Sequence, residues 1–353
     1  MILAGDVGGT KTNLALCDDT AKPTREATFA AKDYDSLEAI VATFARGDKI
    51  TAACFGVAGP VDNGTSAKIT NLPWTIRVDA LSKELGGARV SLINDLQATA
   101  LGALVIPASS FAVLQAGAIA ERATIAVIAP GTGLGEACLY HDGTRYQALP
   151  SEGGHADLPV TTDDEIELLR FLRGKYGDHV SVERVLSGNG VADLYDFYAR
   201  GDAKPYPGDR NAAISEAGLA ESDPNATRAL ELFAQILGSE CGNLALRHLA
   251  TGGVVIGGGI PPKLLPVLQR GALIARFVAK GRFADWLRAR SVRVVLDPKA
   301  ALLGAARHAS LAATTKDDRC PIRRLASHPA RPSPAKSSAR RRPRRRRTSQ
   351  PRS

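Results

Sequence analysis

Residues Val90–Leu96 read Val-Ser-Leu-Ile-Asn-Asp-Leu, an apolar run that ends in an Asn-Asp pair. Apolar side chains at helical spacing follow, through Leu101 and Leu104. The pattern predicts a strand, then Asn94 and Asp95, then a helix. Ligands of open α/β sheets bind at this carboxyl end of a strand, and an Asp there can take a proton from a hydroxyl group. A second interpretation is that the pair only turns the chain and caps the helix, since Asn and Asp are favoured N-caps.

Composition and charge narrow the class of protein. The 353 residues, 44% of them hydrophobic, suffice for one large domain or two smaller ones. Residues 316–353 hold 14 of the 45 Lys and Arg and two of the 36 Asp and Glu, so the rest of the chain has a net charge of −3. This acidic body does not favour nucleic-acid binding. The five cysteines are scattered and lack the spacing of a zinc site, which predicts reduced thiols. The N-terminus does not resemble a signal peptide, and no run of about 20 apolar residues is present, so we expect a cytoplasmic protein.

The N-terminal stretch nearly fits a P-loop. An apolar strand at residues 2–4 leads into Gly-Asp-Val-Gly-Gly-Thr-Lys-Thr at residues 5–12. A P-loop needs Gly directly before the Lys, where Thr10 stands, and residues 13–18 are strand-like rather than helical. The stretch therefore predicts a β-hairpin whose turn lets backbone N–H groups approach phosphate, with Asp6 able to orient Mg²⁺ through water. An ordinary glycine hairpin is the alternative.

The same plan recurs later in the chain. A buried strand at Thr124–Ala129 leads into the Gly- and Thr-rich turn Pro130–Gly135 and then the apolar segment Ala137–Tyr140. This duplication predicts two similar halves that face one another, with a polyphosphate between the two turns. A third glycine stretch, Gly257–Gly259, follows the strand Val254–Ile256 and offers backbone donors and a flat surface to a ribose and adenine.

The densest polar stretch is residues 148–157, in which two glycines separate Glu152 from His155. An irregular loop of this kind can point both side chains at one polyol. A Glu-x-x-His metal site is the alternative, but that motif belongs to bundle helices, and the glycines disfavour a helix. Glu183 is at the start of a short predicted helix. It can be interpreted simply as an acid in the first turn, where the helix dipole favours negative charge. Asn71, in a polar and aromatic loop, is a further candidate to line a pocket.

The chain changes character from about Thr314, where Ser, Pro and Arg dominate. Such a segment cannot bury apolar surface, so we expect residues 314–353 to be a disordered basic tail. The tail could bind nucleic acid or anionic lipid non-specifically, although we do not expect this to be the main function. A read-through or frameshifted extension without function is the alternative.

Taken together, the chain resembles the bacterial glucokinase family, in the branch distinct from the zinc-containing repressor/ORF/kinase group. The resemblance runs from about Ile2 to His308, with its motifs in family order. It implies an α/β protein with the actin-like ATPase (ribonuclease H-like) fold, in which two α/β domains surround a central cleft. The small domain would span residues 1–105, completed by about 297–313, and the large domain residues 106–296. The motifs are Gly5–Thr10, Ile93–Asp95, Gly131–Gly135, Glu152–His155, Glu183–Gly188 and Gly252–Gly259.

The resemblance also implies an activity, namely ATP-dependent phosphorylation of D-glucose at O6 to glucose 6-phosphate, feeding glycolysis. Mg²⁺ would arrive with ATP, oriented by Asp6, without a separate metal site, and a homodimer without membrane contact is implied. Asp95 matches the family's catalytic base. The residues that match its glucose contacts are Asn94, Glu152, His155 and Glu183. Those that match its nucleotide-binding turns are Gly8, Gly9, Thr10, Gly131, Thr132, Gly133, Gly257 and Gly258.

Two residues depart from the family pattern. Lys11 replaces the Asn often found there, and Glu136 stands where an apolar residue is common. We expect Glu136 to face away from the phosphates, because a carboxylate there would oppose ATP. A kinase for another sugar remains open, as does a non-catalytic sugar sensor or DNA-binding regulator on the same fold. Against a regulator stand the intact Asp95 and a fold that starts at Ile2, which leaves no room for a helix-turn-helix.

Overall fold

The computed structural model describes residues 1–69 and 72–314, and residues 1–314 form one compact unit. Asn71 and the basic segment from residue 315 onward lie outside the described residues. The strands are β1 (Ile2–Val7), β2 (Lys11–Cys17), β3 (Pro23–Ala30), β4 (Ala52–Val57), β5 (Val61–Asp62), β6 (Ser66–Lys68), β7 (Thr75–Arg77), β8 (Arg89–Asn94), β9 (Phe111–Gln115), β10 (Ile125–Pro130), β11 (Leu134–His141), β12 (Tyr146–Ser151), β13 (Val254–Ile256) and β14 (Val292–Val295). The α-helices are α1 (Leu37–Phe44), α2 (Val78–Glu84), α3 (Asp95–Gly102), α4 (Asp163–Tyr176), α5 (Gly188–Ala199), α6 (Arg210–Leu219), α7 (Pro224–Arg247), α8 (Leu265–Leu268), α9 (Ala272–Val278), α10 (Ala284–Arg288) and α11 (Ala300–Thr314).

The first sheet has five strands in the order β3-β2-β1-β4-β8. Its first three strands form an antiparallel meander, while β4 and β8 run parallel to β1. Every residue of β4 is buried, as expected for a parallel strand covered on both faces. Strands β5, β6 and β7 form a small separate sheet.

The second sheet repeats this plan in the order β12-β11-β10-β13-β14, with β9 added at the edge. Strands β10, β11 and β12 again form an antiparallel meander, and β13 and β14 continue parallel to β10. The duplication predicted from the two strand–turn–strand stretches is therefore confirmed. The larger scaffold, from α4 to α10, lies between β12 and β14 in the chain and covers this second sheet with α5, α7 and α9.

Helices α3 and α11 pack closely against each other. Each follows the last parallel strand of its half, β8 for α3 and β14 for α11. Their apolar residues share one core with residues of both sheets, among them Ala4 and Val127. The approach is close because the facing residues are small: a Cβ on Gly304 would lie 1.8 Å from the carbonyl oxygen of Ala98. Small residues on the facing sides of α3 and α11 therefore permit this close packing.

The register of the parallel strands places the turns that follow them at the same edge of each sheet. Val7, Val57 and Asn94 are neighbours across β1, β4 and β8. In the second sheet Ile128 pairs with Ile256, so the turns that follow β10 and β13 also lie side by side. The four described cysteines are buried free thiols, as expected, and Cys320 lies outside the described residues. No helix among the described residues is long and apolar enough to cross a bilayer.

Candidate active site

One cleft of about 890 Å³ collects segments from both sheets. The first sheet supplies the turn after β1, the bend after β4 and the start of α3, and the second supplies the turn after β10, the end of β12 and the glycines after β13. Glu183 completes the wall from the segment before α5. The lining residues are Gly9, Thr10, Ala58, Gly59, Pro60, Val61, Asn94, Asp95, Leu96, Gln97, Thr99, Ala129, Gly131, Thr132, Gly133, Leu134, Gly135, Pro150, Ser151, Glu152, His155, Glu183, Gly258 and Gly259.

The Asn94-Asp95 pair caps a helix and also lines the cleft. Asn94 is the N-cap of α3: its Oδ1 accepts a hydrogen bond from the N–H of Leu96 at 2.9 Å, and its Nδ2 donates to the carbonyl of Gly59 at 3.2 Å. Gln97 makes the reciprocal hydrogen bond: its Oε1 accepts from the backbone N–H of Asn94 at 3.0 Å. This reciprocal pair is the capping-box arrangement. The cap belongs to Asn94, which leaves the half-buried carboxyl group of Asp95 lining the cleft.

The surroundings of Asp95 tune its basicity. The pKa of its carboxyl group is raised to about 6, mainly by burial and also by the nearby Asp6 carboxylate, while the hydrogen bond from the N–H of Leu96 at 2.8 Å opposes the shift. A carboxyl group with this pKa is mostly ionised at neutral pH yet more basic than an ordinary Asp. Such a group suits general-base catalysis, which works best when the pKa of the base is close to the working pH.

The three predicted sugar contacts from the second half lie together. His155 is the centre: its Nε2 is 3.8 Å from an oxygen of Glu152, and its Nδ1 is 4.0 Å from an oxygen of Glu183. The side chains of Glu152 and His155 are 85% and 59% exposed, so both are open to a ligand. Glu183 is fixed more firmly, since its Oε2 accepts from the N–H of Leu134 at 2.9 Å. Two carboxylates and an imidazole at these distances can bind several hydroxyl groups of one polyol.

Glu152 and His155 do not form the helical Glu-x-x-His motif of a metal site. Residues Gly153–His155 form a single turn of 3-10 helix. Among residues 1–69 and 72–314, no three His, Cys, Asp or Glu side chains come together in a group that could hold a metal ion. The di-iron alternative therefore has no support in this part of the chain.

Most of the predicted phosphate-turn residues line the cleft, and three do not. Gly9 and Thr10 from the first half meet Gly131–Gly133 from the second, and Gly258 lies on the same wall. The exceptions are Asp6, Gly8 and Gly257. Asp6 lies behind the first turn, where its carboxylate accepts a hydrogen bond from Asn13 Nδ2 at 3.1 Å. Burial raises the pKa of Asp6, and the Asn13 hydrogen bond and the Lys11 charge counteract this.

The two residues that depart from the family pattern lie outside the cleft lining. Lys11 is exposed at the start of β2. Glu136 is 1% exposed, and its carboxyl group lies against Gly153, where an added Cβ would be 1.9 Å from Oε2. Glu136 therefore faces the interior of the second half and not the phosphate turns, as expected.

Besides Thr99, whose hydroxyl group donates to the carbonyl oxygen of Asp95 at 3.0 Å, two polar residues of the cleft were not predicted from the sequence. Gln97 is one, and its signal was the spacing Asn-x-x-Gln at the start of a helix, which resembles a capping box. Ser151 is the other: its Oγ accepts from the N–H of Gly153 at 2.9 Å and shapes the turn that carries Glu152. No motif marked Ser151, because its role depends on the turn geometry.

Comparisons with known proteins agree with this geometry. A family profile described as Glucokinase matches residues 3–312. The glucokinase of Trichormus variabilis is 38% identical over 336 residues, covering 87% of this chain and 98% of that protein. The crystal structure of a glucokinase from an Antarctic psychrotroph superposes with a TM-score of 0.79 at 33% identity, covering 87% of this chain and 98% of that one.

A more distant structure supports the fold alone. A ROK family glucokinase from Streptomyces griseus, solved in complex with glucose and AMPPNP, has a TM-score of 0.62 at 22% identity, covering 88% of this chain and 99% of that one. The α/β architecture predicted from the sequence, the actin-like ATPase fold, is confirmed by these neighbours. With a family profile spanning nearly all the described residues and a relative at 38% identity, the chain belongs to the glucokinase family.

Proposed function

We propose that this protein is a glucokinase that transfers the γ-phosphoryl group of ATP to O6 of D-glucose, with Asp95 as general base. The observation that carries the proposal is the convergence in one cleft of Asp95, the Glu152–His155–Glu183 cluster and two glycine-rich turns from equivalent halves. Family membership supports these substrates, and the Streptomyces griseus glucokinase of the same fold was itself solved with glucose and AMPPNP. Glycolytic supply of glucose 6-phosphate in the cytoplasm and a homodimer belong to this proposal by resemblance.

The proposed chemistry uses few groups. The carboxylate of Asp95 takes the proton of the 6-hydroxyl as O6 forms its bond to the γ-phosphorus, and the bond from that phosphorus to the β–γ bridging oxygen breaks to release ADP. Asn94, Glu152, His155 and Glu183 hold the other hydroxyls and aim O6 at the phosphate. The turns at Gly9–Thr10 and Gly131–Gly133 offer backbone N–H groups to phosphate oxygens, so catalysis depends mainly on positioning and charge stabilisation.

The residues also fit Mg²⁺ that arrives on the nucleotide. Protein-bound Mg²⁺ commonly uses one or two carboxylates together with substrate phosphates. Asp6, which lies close enough to Asp95 to raise the pKa of that residue, would provide such a carboxylate beside the first turn. When bound, the ion neutralises phosphate charge. Asp6 would hold or orient it from behind the turn.

The test is a coupled assay with D-glucose and Mg-ATP on the purified protein. We expect Asp95→Asn to lower kcat by about 10²- to 10⁴-fold, the usual contribution of a general base. Asp209→Asn is the matched control: Asp209 is the N-cap of α6, Asn serves equally well as a cap, and the residue lies outside the cleft lining. Unchanged turnover in Asp95→Asn would refute the role of Asp95. Glucose binding without turnover in the unmodified protein would instead indicate a sugar sensor.

A further inference from the structure

Gln97 joins two parts of the molecule through the two atoms of one amide group. Its Oε1 accepts from the backbone N–H of Asn94 at 3.0 Å, and its Nε2 donates to the carbonyl oxygen of Ala148 at 3.0 Å. The first contact lies within the cap of α3, and the second reaches the edge strand of the other sheet. The half-buried side chain also lines the cleft.

Both ends of this bridge lead directly to proposed reacting or binding groups. Asp95 lies two residues before Gln97 on the first turn of α3. Ala148 lies on β12, which ends at Ser151, and Glu152 follows immediately. Helix α3 packs on β11 and β12, so the bridge forms part of a wider contact. The length of the Gln97 side chain thus spans the gap between the proposed base and the strand that carries the sugar-binding turn.

We propose that Gln97 is a positioning residue that sets the distance and orientation of the Asp95 carboxyl group relative to the Glu152–His155 turn. The inference rests on the proposed function of that cleft. An amide suits the task because it supplies an acceptor to one partner and a donor to the other. An ionised carboxylate offers only acceptors, and an aliphatic side chain offers neither. Misplacement of catalytic groups by about 1 Å can lower a rate by about 10²-fold.

The test compares Gln97→Glu with Gln97→Leu. Gln97→Glu keeps the acceptor for Asn94 and therefore the helix cap, but it places a carboxylate oxygen opposite the carbonyl of Ala148. Gln97→Leu removes both hydrogen bonds at similar size. Ser36→Ala, which removes the N-cap hydrogen bond of α1 outside the cleft lining, is the control for loss of a helix cap. Kinetics are measured at pH 8.5, where the carboxyl group of Asp95 is ionised in each variant.

We expect both Gln97 variants to lower kcat/KM for glucose by about tenfold to a hundredfold, with the KM for ATP within about twofold of the unmodified enzyme. All three variants remove a hydrogen bond of the folded protein and should lower the melting temperature, but Ser36→Ala should leave the kinetics unchanged. If Gln97→Glu has unmodified kinetics, Gln97 only caps the helix and the proposal fails. If Gln97→Glu is impaired and Gln97→Leu is not, the added charge is the cause and the proposal also fails.

Hydrogen exchange separates this proposal from the proposed function. If the bridge orders β12 and its turn, amide exchange across residues 146–155 should rise by about tenfold in both variants while exchange in α1 stays unchanged. This measurement needs no turnover. An unmodified protein without glucokinase activity would refute the proposed function, whereas unchanged exchange in residues 146–155 would refute the positioning role of Gln97.

Discussion

Glu136 provides a quantitative test of the electrostatics beside the Glu152–His155 turn. It is a buried carboxyl group on β11, and neither of its oxygens has a hydrogen-bond partner among the described residues. Its pKa is raised from 4.5 to about 7, mainly by burial and then by the Glu240 carboxylate, while the Arg247 guanidinium opposes the shift. Glutamine has nearly the same shape and no charge. Glu136→Gln should therefore stabilise the protein in a pH-dependent way.

The size and sign follow from proton linkage. Below pH 4.5 the carboxyl group is protonated in both the folded and the unfolded chain, so its burial carries no charge penalty. As the pH rises towards 7, the unfolded chain releases the proton while the folded protein keeps it, and stability is lost until the folded carboxyl group also ionises. A pKa raised from 4.5 to about 7 corresponds to a loss of about 3 kcal/mol above pH 8. At pH 5 the same relation gives about 1 kcal/mol.

The assay is urea-induced unfolding of the unmodified protein and Glu136→Gln at pH 5 and pH 8.5. The free energy of unfolding gained by the substitution should grow by roughly 2 kcal/mol between the two pH values. Glu84→Gln, at the exposed end of α2, is the matched control and should show no such growth. A gain of equal size at both pH values, or a loss at pH 8.5, would show that the carboxylate of Glu136 is stabilised by a partner, and the reasoning would be refuted.

Two further predictions concern the proposed reaction. The acid limb of kcat/KM for glucose should have its midpoint near pH 6, because protonation of Asp95 below its pKa removes the base; a midpoint near pH 4, measured by the coupled assay, would contradict this. Glucose should draw the two halves together, since Asn94 and Asp95 come from one and Glu152, His155 and Glu183 from the other. Small-angle X-ray scattering should show a smaller radius of gyration with glucose, and an unchanged radius would refute closure.

The parts of the site that could be predicted from the sequence depend on local rules. The run into Asn94-Asp95 combines a buried strand with two good capping residues, so its strand–helix boundary is encoded within seven residues. The glycine-rich turns after β1 and β10 were recognisable because only a tight turn tolerates such composition between two strands. The repeated layout then predicted two equivalent sheets, which the strand order confirms.

The parts that could not be predicted depend on distant partners. Gln97 and Ala148 are 51 residues apart, and nothing in either stretch marks the other. Strand alternation places Glu136 on the same side of β11 as Leu134 and Cys138, but only the packing of α7 and of the Gly153 turn decides that this side is closed. A rule of local spacing cannot supply such information, because it arises from how the two sheets and their helices are assembled.

The duplication also allows the proposed base, Asp95, to be compared with an acid in the second half of the chain. The second half has an acid in a similar place: Asp297 lies between β14 and α11, and Asp95 is the first residue of α3, directly after β8. Its Oδ1 instead accepts the N–H of Lys299 at 2.9 Å, and it lies outside the cleft lining. The carboxyl group of Asp297 thus stabilises a turn, whereas Asp95 lines the cleft. Of these two acids, only Asp95 is placed to act as the proposed base on a hydroxyl group of a sugar in the cleft.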